Sequence, residues 1–406
     1  MNKVILHCDL NCFFASVEML HHPELRDVPM AVAGDPEHRH GIILAKNVPA
    51  KRKGIKTAET IGESLKKCPE LVVLKPDYDS YEYFSEKVRD LYYEYTDRIE
   101  PFGIDECWLD ITGSISYFGS VEKIVNGLLS RVKNEIGLTL SIGVSFNRIY
   151  AKLGSDLAKE DSACYIGSLD DIRHLPASSL LGVGYHTGEK LKDYGLYTIG
   201  DVAKRPLPYL KEILGKWGES LYCYANGYES VPIPRYKEVT EEVKSIGNSM
   251  TSIRDLKDME DFKIVLSVLC DSVSARVRAK KMYFRTVHLQ VRTKKLEVRT
   301  MQMRLKENSD LGKDIFNCAV ALFENNCDFS IPYRSIGISV SSLSFRKDVY
   351  QTSLFEKGGY SMKQKKEETA IDTIRERFGH YAISSLRVLE DAGLSSFIPK
   401  SEKEIS

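Results

Sequence analysis

Three acidic residues could together bind divalent cations and support phosphoryl transfer. Asp9 lies near the end of the apolar run KVILHCDL, and Asp105 and Glu106 stand side by side in IDECWLDI, just before a second apolar run. Carboxylates buried without a partner are costly, so these side chains need a cation, a basic group or a solvent-filled cleft. Three oxygen donors suit Mg²⁺, and two such ions about 3.5 to 4 Å apart would activate a hydroxyl and stabilise a leaving group in an in-line displacement. Taken alone, the acidic pair could equally be a solvated turn.

Two groups of basic residues could hold the phosphates that such a reaction requires. The segment LAKNVPAKRKGIKT, residues 44–57, contains five bases and no acid: Lys46, Lys51, Arg52, Lys53 and Lys56. Because lysine and arginine pair strongly with phosphate, this segment could clamp a triphosphate, although a solvated loop has the same composition. Lys152, in FNRIYAKLGSDLAK, follows a predicted strand and is a second candidate for the same anion.

Hydrophobic periodicity predicts the elements that position the acids. KVILHCDL indicates a strand and NCFFASVEML a short helix, so Asp9 lies where a strand gives way to a helix. Helices are predicted at residues 80–98 and 120–137, and strands at IDECWLDIT and at residues 138–146. This order is close to the split βαβ plan, a small antiparallel sheet backed by helices. We therefore expect Asp9 and the acidic pair on adjacent strands, at one end of the sheet.

The C-terminal half contains features typical of nucleic-acid binding. GVG, residues 182–184, lies in a run of short helices and resembles the hairpin of a helix-hairpin-helix, whose backbone amides can hold a DNA phosphate. A proline-rich, charged segment at 231–245 suggests a linker, and an α/β unit follows it. Residues 276–299 contain nine Lys or Arg against one acid, Glu297. Bases on one face of a strand there would follow a phosphate backbone, although a charge run is usually a solvated face.

Composition indicates an ordinary cytoplasmic protein of two to four domains. The chain has 406 residues, 43% hydrophobic and 28% charged, with no long apolar run that would suggest a membrane span. Its nine cysteines form no CxxC pair, so reduced thiols are expected. The formal net charge is zero, which argues against a nucleic-acid partner, but the distribution of charge matters more than its sum.

Several segments resemble, in sequence and spacing, the Y-family translesion DNA polymerases of bacteria. They cover about residues 1 to 348 and are HCDLNCFFASVE, PFGIDECWLD, SIGVSFNRIYAKLGSDLAK, LLGVGYHTGEKL with YTIGDVAK, and KSIGNSMTS. The resemblance implies a multidomain α/β (α+β) right-hand polymerase with a ferredoxin-like split βαβ palm, small fingers, a helix-hairpin-helix thumb and an α/β little finger. The implied boundaries are palm 1–20 and 76–165, fingers 21–75, thumb 166–232, linker 233–244, little finger 245–348, and a charged tail with a short helix at 349–406.

The resemblance also implies roles for individual residues. Asp9, Asp105, Glu106 and the main-chain carbonyl of Leu10 would hold two Mg²⁺ ions. Phe14 would be a steric gate that leaves no room for a ribose 2′-OH. The nucleotide triphosphate would be held by backbone amides and basic side chains, which are assigned to Cys12, Phe13, Lys51, Arg52 and Lys152.

Four positions depart from the family pattern. Asn11 stands where many members have an acid, and Gly103 replaces a serine. Val48 and Lys51 replace a tyrosine and an arginine of the nucleotide loop. Because lysine cannot make the bidentate contact of arginine, Lys51 and Arg52 are expected to share that role.

Partners follow from the same resemblance: primer-template DNA, deoxynucleoside triphosphates and a replicative sliding clamp. The predicted DNA contacts are Gly182, Gly184, Lys190, Lys244, Ser245, Arg276, Arg278, Lys280, Lys281, Arg285 and Arg292. QTSLF would bind the clamp through Gln351, Leu354 and Phe355. A monomeric, error-prone translesion polymerase is expected. The alternatives are a catalytically silent DNA- or clamp-binding scaffold, and a two-metal nucleotidyl cyclase or nuclease on a similar palm.

Overall fold

The chain divides into two compact units. The computed structural model describes residues 3–34, 41–229, 231–238, 243–345, 358–379 and 382–395. Unit 1 holds the described residues of Met1–Gly34 and Ile42–Thr240, and unit 2 those of Asp35–Gly41 and Glu241–Ser406. The division falls inside the segment expected to be a linker, 233–244, and the regions expected to be palm, fingers and thumb belong to unit 1 except for residues 35–41.

Unit 1 contains eight strands and twelve α-helices among its described residues. The strands are β1 (Ile5–Leu10), β2 (Met30–Ala33), β3 (Ile43–Lys46), β4 (Val72–Leu74), β5 (Ile99–Pro101), β6 (Glu106–Asp110), β7 (Leu140–Ser145) and β8 (Ser162–Tyr165). The helices are α1 (Phe13–His21), α2 (Val48–Arg52), α3 (Ile61–Lys67), α4 (Tyr78–Tyr93), α5 (Ile115–Phe118), α6 (Val121–Arg131), α7 (Arg148–Leu157), α8 (Leu169–Ile172), α9 (Tyr185–Asp193), α10 (Ile199–Ala203), α11 (Leu207–Leu214) and α12 (Lys216–Asn226).

A five-stranded sheet in the order β5-β6-β1-β7-β8 forms the centre of unit 1. β1 and β7 are buried along almost their whole length, and their apolar side chains join a core with α1, α4 and α6. β1 pairs antiparallel with both β6 and β7, as expected. The predicted elements did not include β8, which pairs parallel to β7 after the crossover through α7.

Two smaller substructures complete unit 1. Within residues 21–75, β3, β2 and β4 form a three-stranded sheet whose apolar core includes Ile43, Ile55 and Ile61. Within residues 166–232, α8 to α12 surround a core of their own that also takes in Ile149 and Leu153 of α7. These substructures lie where the sequence suggests fingers and thumb.

Unit 2 is a four-stranded antiparallel sheet packed against helices. Its elements are β9 (Ser245–Leu256), α13 (Met259–Ala279), β10 (Phe284–Thr293), β11 (Val298–Ser309), α14 (Gly312–Asn326), β12 (Tyr333–Ser341), α15 (Gly358–Phe378), α16 (Leu386–Leu389) and α17 (Ala392–Ser395). The strand order is β11-β10-β12-β9. One core, which includes Phe262, Leu289 and Phe323, joins the sheet to α13 and α14.

Ion pairs join helix α15 to helix α13 within unit 2. The guanidinium of Arg278, on α13, donates to Asp372 from Nε at 2.6 Å and from Nη2 at 2.9 Å, and it also contacts Glu368. Arg375 donates to Asp271 at 2.9 Å. The sequence predicts only a short helix in this tail. The helix is longer because partners far away in the sequence neutralise its charges.

Removing a carboxylate from α15 should destabilise unit 2. The side chain of Arg278 is only 10% exposed, so Asp372→Ala leaves a buried cation with fewer partners. Because Glu368 still faces the guanidinium, we expect the free energy of unfolding to fall by about 1 to 3 kcal/mol, measured by urea denaturation. Glu376→Ala, an exposed acid on the same helix, is the matched control. Equal unfolding midpoints for the two variants would contradict this docking.

The cysteines and the hydropathy of the helices bear on two further expectations, reduced thiols and the lack of a membrane span. All nine cysteines are free thiols. In the part of the chain that the structure describes, no helix is long and apolar enough to cross a bilayer.

Candidate active site

The pairing of β1 with β6 brings the predicted acids to one end of the central sheet. Asp9 is opposite Glu106 in the antiparallel register. The amide of Leu10 donates to the carbonyl of Asp105 at 3.0 Å, which fixes the turn into β6 beside the end of β1. Asp9, Leu10, Asp105 and Glu106 therefore lie together, as the sequence predicts.

Helix α7 places a lysine among these acids. The Nζ atom of Lys152 lies 3.2 Å from Asp9 Oδ2, 3.0 Å from Glu106 Oε2 and 3.1 Å from Asp156 Oδ1. Its side chain is only 12% exposed. Lys152 thus neutralises the carboxylates, a contact that sequence reasoning, which assigned it to a phosphate, did not include.

Two glycines allow α7 to lie this close to the sheet. A Cβ on Gly143, in β7, would come within 1.8 Å of the carbonyl oxygen of Ala151. A Cβ on Gly154 would come within 2.9 Å of the Gly143 Cα. Because the backbones of α7 and β7 are in direct contact here, the distance between the helix and the sheet is fixed, and so is the position of the side chains that α7 directs at the acids.

The electrostatics of the cluster favour a bound cation. Burial, with the charges of Asp9 and Glu106, raises the pKa of Asp105 to about 6. Burial also raises the pKa of Asp9, against the opposing effect of Lys152. For Glu106 burial would do the same, but His7 and Lys152 outweigh it and lower the pKa. Lys152 alone therefore does not relieve the repulsion at Asp105.

The donor set suits a hard cation that also binds substrate oxygens. Among the described residues, no three His, Cys, Asp or Glu side chains converge as a ready-made metal cage. Mg²⁺ rarely uses such a cage, since it keeps waters and binds one or two carboxylates with substrate phosphates. An incomplete set of carboxylates with a raised pKa fits that pattern.

The first residues of α1 lie next to Asp9 in the sequence. Cys12 precedes the helix in the left-handed region, with φ 49°, and the amides of Phe13, Phe14 and Ala15 have no acceptor within the helix. The first amide with one is that of Ser16, which donates to the carbonyl of Cys12 at 2.9 Å. Phe13 is buried in the core. Phe14 is half-buried and stacks on Tyr81, with ring centroids 4.2 Å apart and planes 10° apart.

The predicted basic clamp lies on a short capped helix. α2 begins after Asn47, whose buried side chain accepts from the amide of Ala50 at 3.0 Å. Lys51 and Arg52 occupy the last turn of α2 and are exposed. The structure thus supplies two accessible cations on a rigid support.

The GVG segment begins helix α9. Gly182 has φ +82°, and a Cβ there would lie 2.5 Å from the Trp217 ring, so only glycine fits. Gly184 caps α9, with nothing within 4 Å of where its Cβ would be, and Lys190 is exposed on the same helix. The backbone at Gly184 is thus exposed at the start of the helix, which leaves room for a phosphate there.

Two of the residues predicted to bind DNA in unit 2 are buried instead. Arg276 is 7% exposed and donates to the carbonyl of Gly247 at 2.9 Å, and Arg278 forms the ion pairs with α15. Both predictions need correction, because each guanidinium is used within the fold. The exposed members of the predicted set are Lys244, Ser245, Lys280, Lys281 and Arg292, and Arg285 is half-buried.

Sequence reasoning missed strand β11 and its cations. Arg304 and Lys306 are exposed on it, while Met301, Met303 and Leu305 alternate with them and pack against the core. This period-two pattern was available in VRTMQMRLKENS. His7, on β1, was also missed: it lies 3.2 Å from Glu106 Oε2.

The five-stranded sheet with the acids at its end is the arrangement expected of a polymerase palm. Comparison with known proteins agrees: the model of the impB/mucB/samB family matches residues 8–156, and that of the family's C-terminal domain matches residues 243–354. A third model, described as the DNA polymerase-iota thumb domain, matches residues 178–229. The chain belongs to the impB/mucB/samB family, among the bacterial Y-family DNA polymerases.

Individual relatives extend over nearly the whole chain. A protein named DNA polymerase IV from Acetivibrio thermocellus is 42% identical over 97% of this chain and 100% of its own. Its namesake from Clostridium kluyveri is 34% identical, over 95% and 98%. A solved structure, the Y-family DNA polymerase chimera Dbh-Dpo4(243-245)-Dbh, superposes with a TM-score of 0.74 at 21% identity, covering 84% of this chain and 100% of its own. This last likeness supports the fold alone.

Proposed function

We propose that the chain adds deoxynucleotides to a primer 3′-OH by two-metal phosphoryl transfer, with Asp9, Asp105, Glu106 and the Leu10 carbonyl holding two Mg²⁺ ions. As a member of its family, the chain is a metal-dependent, DNA-directed DNA polymerase of translesion synthesis. The observation that carries the proposal is the facing of Asp9 and Glu106 across β1 and β6, beside an Asp105 whose pKa is raised to about 6.

The three acids act in the mechanism through the ions they hold. When bound, the ions would lower the pKa of the 3′-OH and neutralise the leaving pyrophosphate. Asp9, near the end of β1, and Asp105 and Glu106, at the start of β6, would supply the carboxylate oxygens that hold the ions. Lys152, which now contacts Asp9 and Glu106, would contact the nucleotide phosphates once cations bind these carboxylates. Its present ion pairs are therefore compatible with the predicted role in phosphate binding.

The nucleotide would lie between α1 and α2. The free amides at the start of α1, from Cys12 and Phe13, would donate to the triphosphate, since a helix N-terminus favours anions. Lys51 and Arg52 would approach the same phosphates from α2. Phe14, held against Tyr81, would face the sugar and exclude a ribose 2′-OH.

DNA would be held mainly through its phosphates. Gly182 and Gly184, at the start of α9, and Lys190, in its last turn, would bind one strand. The exposed lysine and arginine side chains of unit 2, with Ser245, would contact the phosphates of the duplex without reading its sequence. We further propose a monomer that acts in the cytoplasm, where a bacterial polymerase finds its DNA.

Clamp binding is a separate proposal. QTSLF, with Gln351, Leu354 and Phe355, lies outside the described residues. A clamp would act as a tether that raises the local concentration of the primer end.

Primer extension tests the proposal most directly. The full chain is given a labelled primer-template, Mg²⁺ and deoxynucleotides, on undamaged and abasic templates, with Glu106→Gln in parallel. We expect the wild type alone to extend, and to cross the abasic site. If DNA binds but no extension occurs, even with a clamp present, the catalytic assignment is wrong and the scaffold alternative holds.

The metal requirement should depend on pH. Because the pKa of Asp105 is raised to about 6, protons compete with the cation below that pH. We expect the Mg²⁺ concentration for half-maximal extension to rise about tenfold between pH 7 and pH 5. Mg²⁺ titrations at the two pH values would measure this, with metal-free DNA binding as the control. A change of less than about twofold would contradict the ionic role of Asp105.

A further inference from the structure

A histidine is buried beneath the proposed metal site. His7 is 0% exposed and lies in β1, opposite Trp108 in β6 and Gly143 in β7. Its ring meets the Trp108 ring edge-on, with centroids 5.2 Å apart. A buried histidine is often only a satisfied core residue. This one separates the aromatic core from the carboxylates, so its two nitrogens determine what it does.

The two ring nitrogens have different neighbours. Nδ1 is hydrogen-bonded to Ser155 Oγ at 2.7 Å. Nε2 lies 3.2 Å from Glu106 Oε2, and among the described residues it has no other hydrogen-bond partner. The contact lacks the alignment of a full hydrogen bond, which is common in catalytic sites before substrate arrives. Ser155 Oγ also lies 2.8 Å from the carbonyl of Lys152, so its one proton has two acceptors within reach. When the hydroxyl donates to Nδ1, the neutral ring carries its proton on Nε2, directed at the glutamate.

The position of this ring is fixed from behind. Ser155 lies on α7, whose backbone meets β7 where Gly143 and Gly154 touch. The ring is therefore held by the serine on one side and by Trp108 on the other. A donor held in this way defines where one oxygen of Glu106 can lie.

Lys152 does not fix the position of the Glu106 oxygen in the same way. Its ammonium is shared by Asp9, Glu106 and Asp156, at 3.0 to 3.2 Å, and it ends a four-carbon chain with rotatable bonds, unlike the rigid imidazole ring. Once Lys152 leaves the carboxylates, His7 remains as the donor beside Glu106 Oε2. The proposed mechanism makes no other use of this histidine.

We propose that His7 is a positioning residue that holds the Glu106 carboxylate in its metal-binding orientation, with Ser155 holding the histidine ring in turn. The inference rests on the proposed metal role of Glu106. Partners of this kind behind a ligand typically change metal affinity or activity by 10- to 100-fold when they are removed.

Two amide substitutions separate positioning from packing. The amide nitrogen of His7→Gln can occupy the place of Nε2, whereas that of His7→Asn can occupy only the place of Nδ1. Both are polar and smaller than the ring, so a purely structural role predicts similar losses. Positioning predicts that His7→Asn alone loses metal affinity and turnover.

The measurement is Mn²⁺ binding to the full chain with primer-template, followed by the EPR signal of the free ion, together with kcat, the nucleotide KM and the thermal midpoint. We expect His7→Asn to raise the Mn²⁺ Kd and to lower kcat by about 10- to 100-fold, with KM changed much less. His7→Gln should stay within about threefold of the wild type. Equal values for both variants, or an unchanged Mn²⁺ Kd in His7→Asn, would overturn the inference.

Two more variants keep the test decisive. Ser155→Ala leaves the ring intact but unheld, and it should raise the Mn²⁺ Kd by a smaller factor; an unchanged constant in a folded Ser155→Ala protein would also overturn the inference. Glu106→Gln tests the underlying function. If Glu106→Gln retains Mn²⁺ binding and extension, the proposed metal site fails. If it loses both while His7→Asn behaves as wild type, only the inference fails.

Discussion

Asp105→Asn should abolish primer extension and at the same time stabilise the protein. The substitution keeps the shape of the side chain and removes one negative charge from a cluster of three. We expect the extension rate to fall by about 10³-fold or more, because the loss of a ligand charge removes several kcal/mol of transition-state stabilisation. Single-turnover extension with saturating Mg²⁺ and nucleotide measures that loss.

The gain in stability follows from the sign of the pKa shift. Burial, with Asp9 and Glu106, raises the pKa of Asp105 from its usual value near 3.8 to about 6. The folded state therefore binds this proton more tightly than the unfolded state, and ionisation destabilises the fold as pH rises from about 4 to about 6. Above pH 6 the penalty is complete. Its size is about 1 to 2 kcal/mol once solvent screening is allowed for.

Urea unfolding in the presence of a chelator at two pH values tests the stability effect. At pH 7.5 the Asp105→Asn protein should unfold at higher urea than the wild type, and at pH 4 the two midpoints should converge. Asp170→Asn, an exposed acid paired with Arg173 outside the site, is the matched control. A fall in stability at pH 7.5 would show that Asp105 is held by favourable contacts, and would argue against an acidic cluster that requires a cation.

Local sequence patterns were sufficient for the part of the site that lies on contiguous elements. The apolar run before Asp9 and the helix that begins at Phe13 have strong periodicities, and the antiparallel pairing of β1 with β6 then places Glu106 opposite Asp9. A ladder has a side-chain period of two, so few registers bury the apolar faces of both strands. The acidic end of the sheet was thus predictable.

Contacts between distant segments were not predictable in the same way. Arg278 appears in the sequence as one of nine bases in a run, and only its pairing with Asp372, 94 residues away, shows that it is buried. His7 likewise looks like any polar residue in an apolar strand, because Ser155 approaches it through a close packing of backbones. A run of lysines and arginines therefore does not by itself predict a DNA-binding surface, because some of these side chains can pair with acidic residues within the fold.

Phe14→Ala should remove most of the discrimination against ribonucleotides. The ring is stacked on Tyr81 and meets Tyr78 edge-on at 6.0 Å. Tyr81 is itself buried, with its hydroxyl bonded to Glu18, so the ring of Phe14 has a rigid support and cannot retreat from a 2′-OH. Exclusion by contact is lost when the ring is removed, and we expect the ratio of kcat/KM for ribo- over deoxynucleotides to rise by about 10²-fold or more.

The control must separate sugar selection from packing. Phe14→Tyr keeps the ring and its stacking, and should keep the discrimination within about threefold of the wild type. Phe14→Ala also loses a stacked aromatic contact worth about 1 kcal/mol, so the thermal midpoint of each variant is measured alongside the kinetics. If Phe14→Ala lowers the midpoint but leaves the ribonucleotide ratio unchanged, Phe14 is a core residue of α1 and the gate lies elsewhere. If the ratio of ribo- over deoxynucleotide kcat/KM rises while deoxynucleotide incorporation continues, the Phe14 ring, supported by Tyr81, is the group that excludes the ribose 2′-OH.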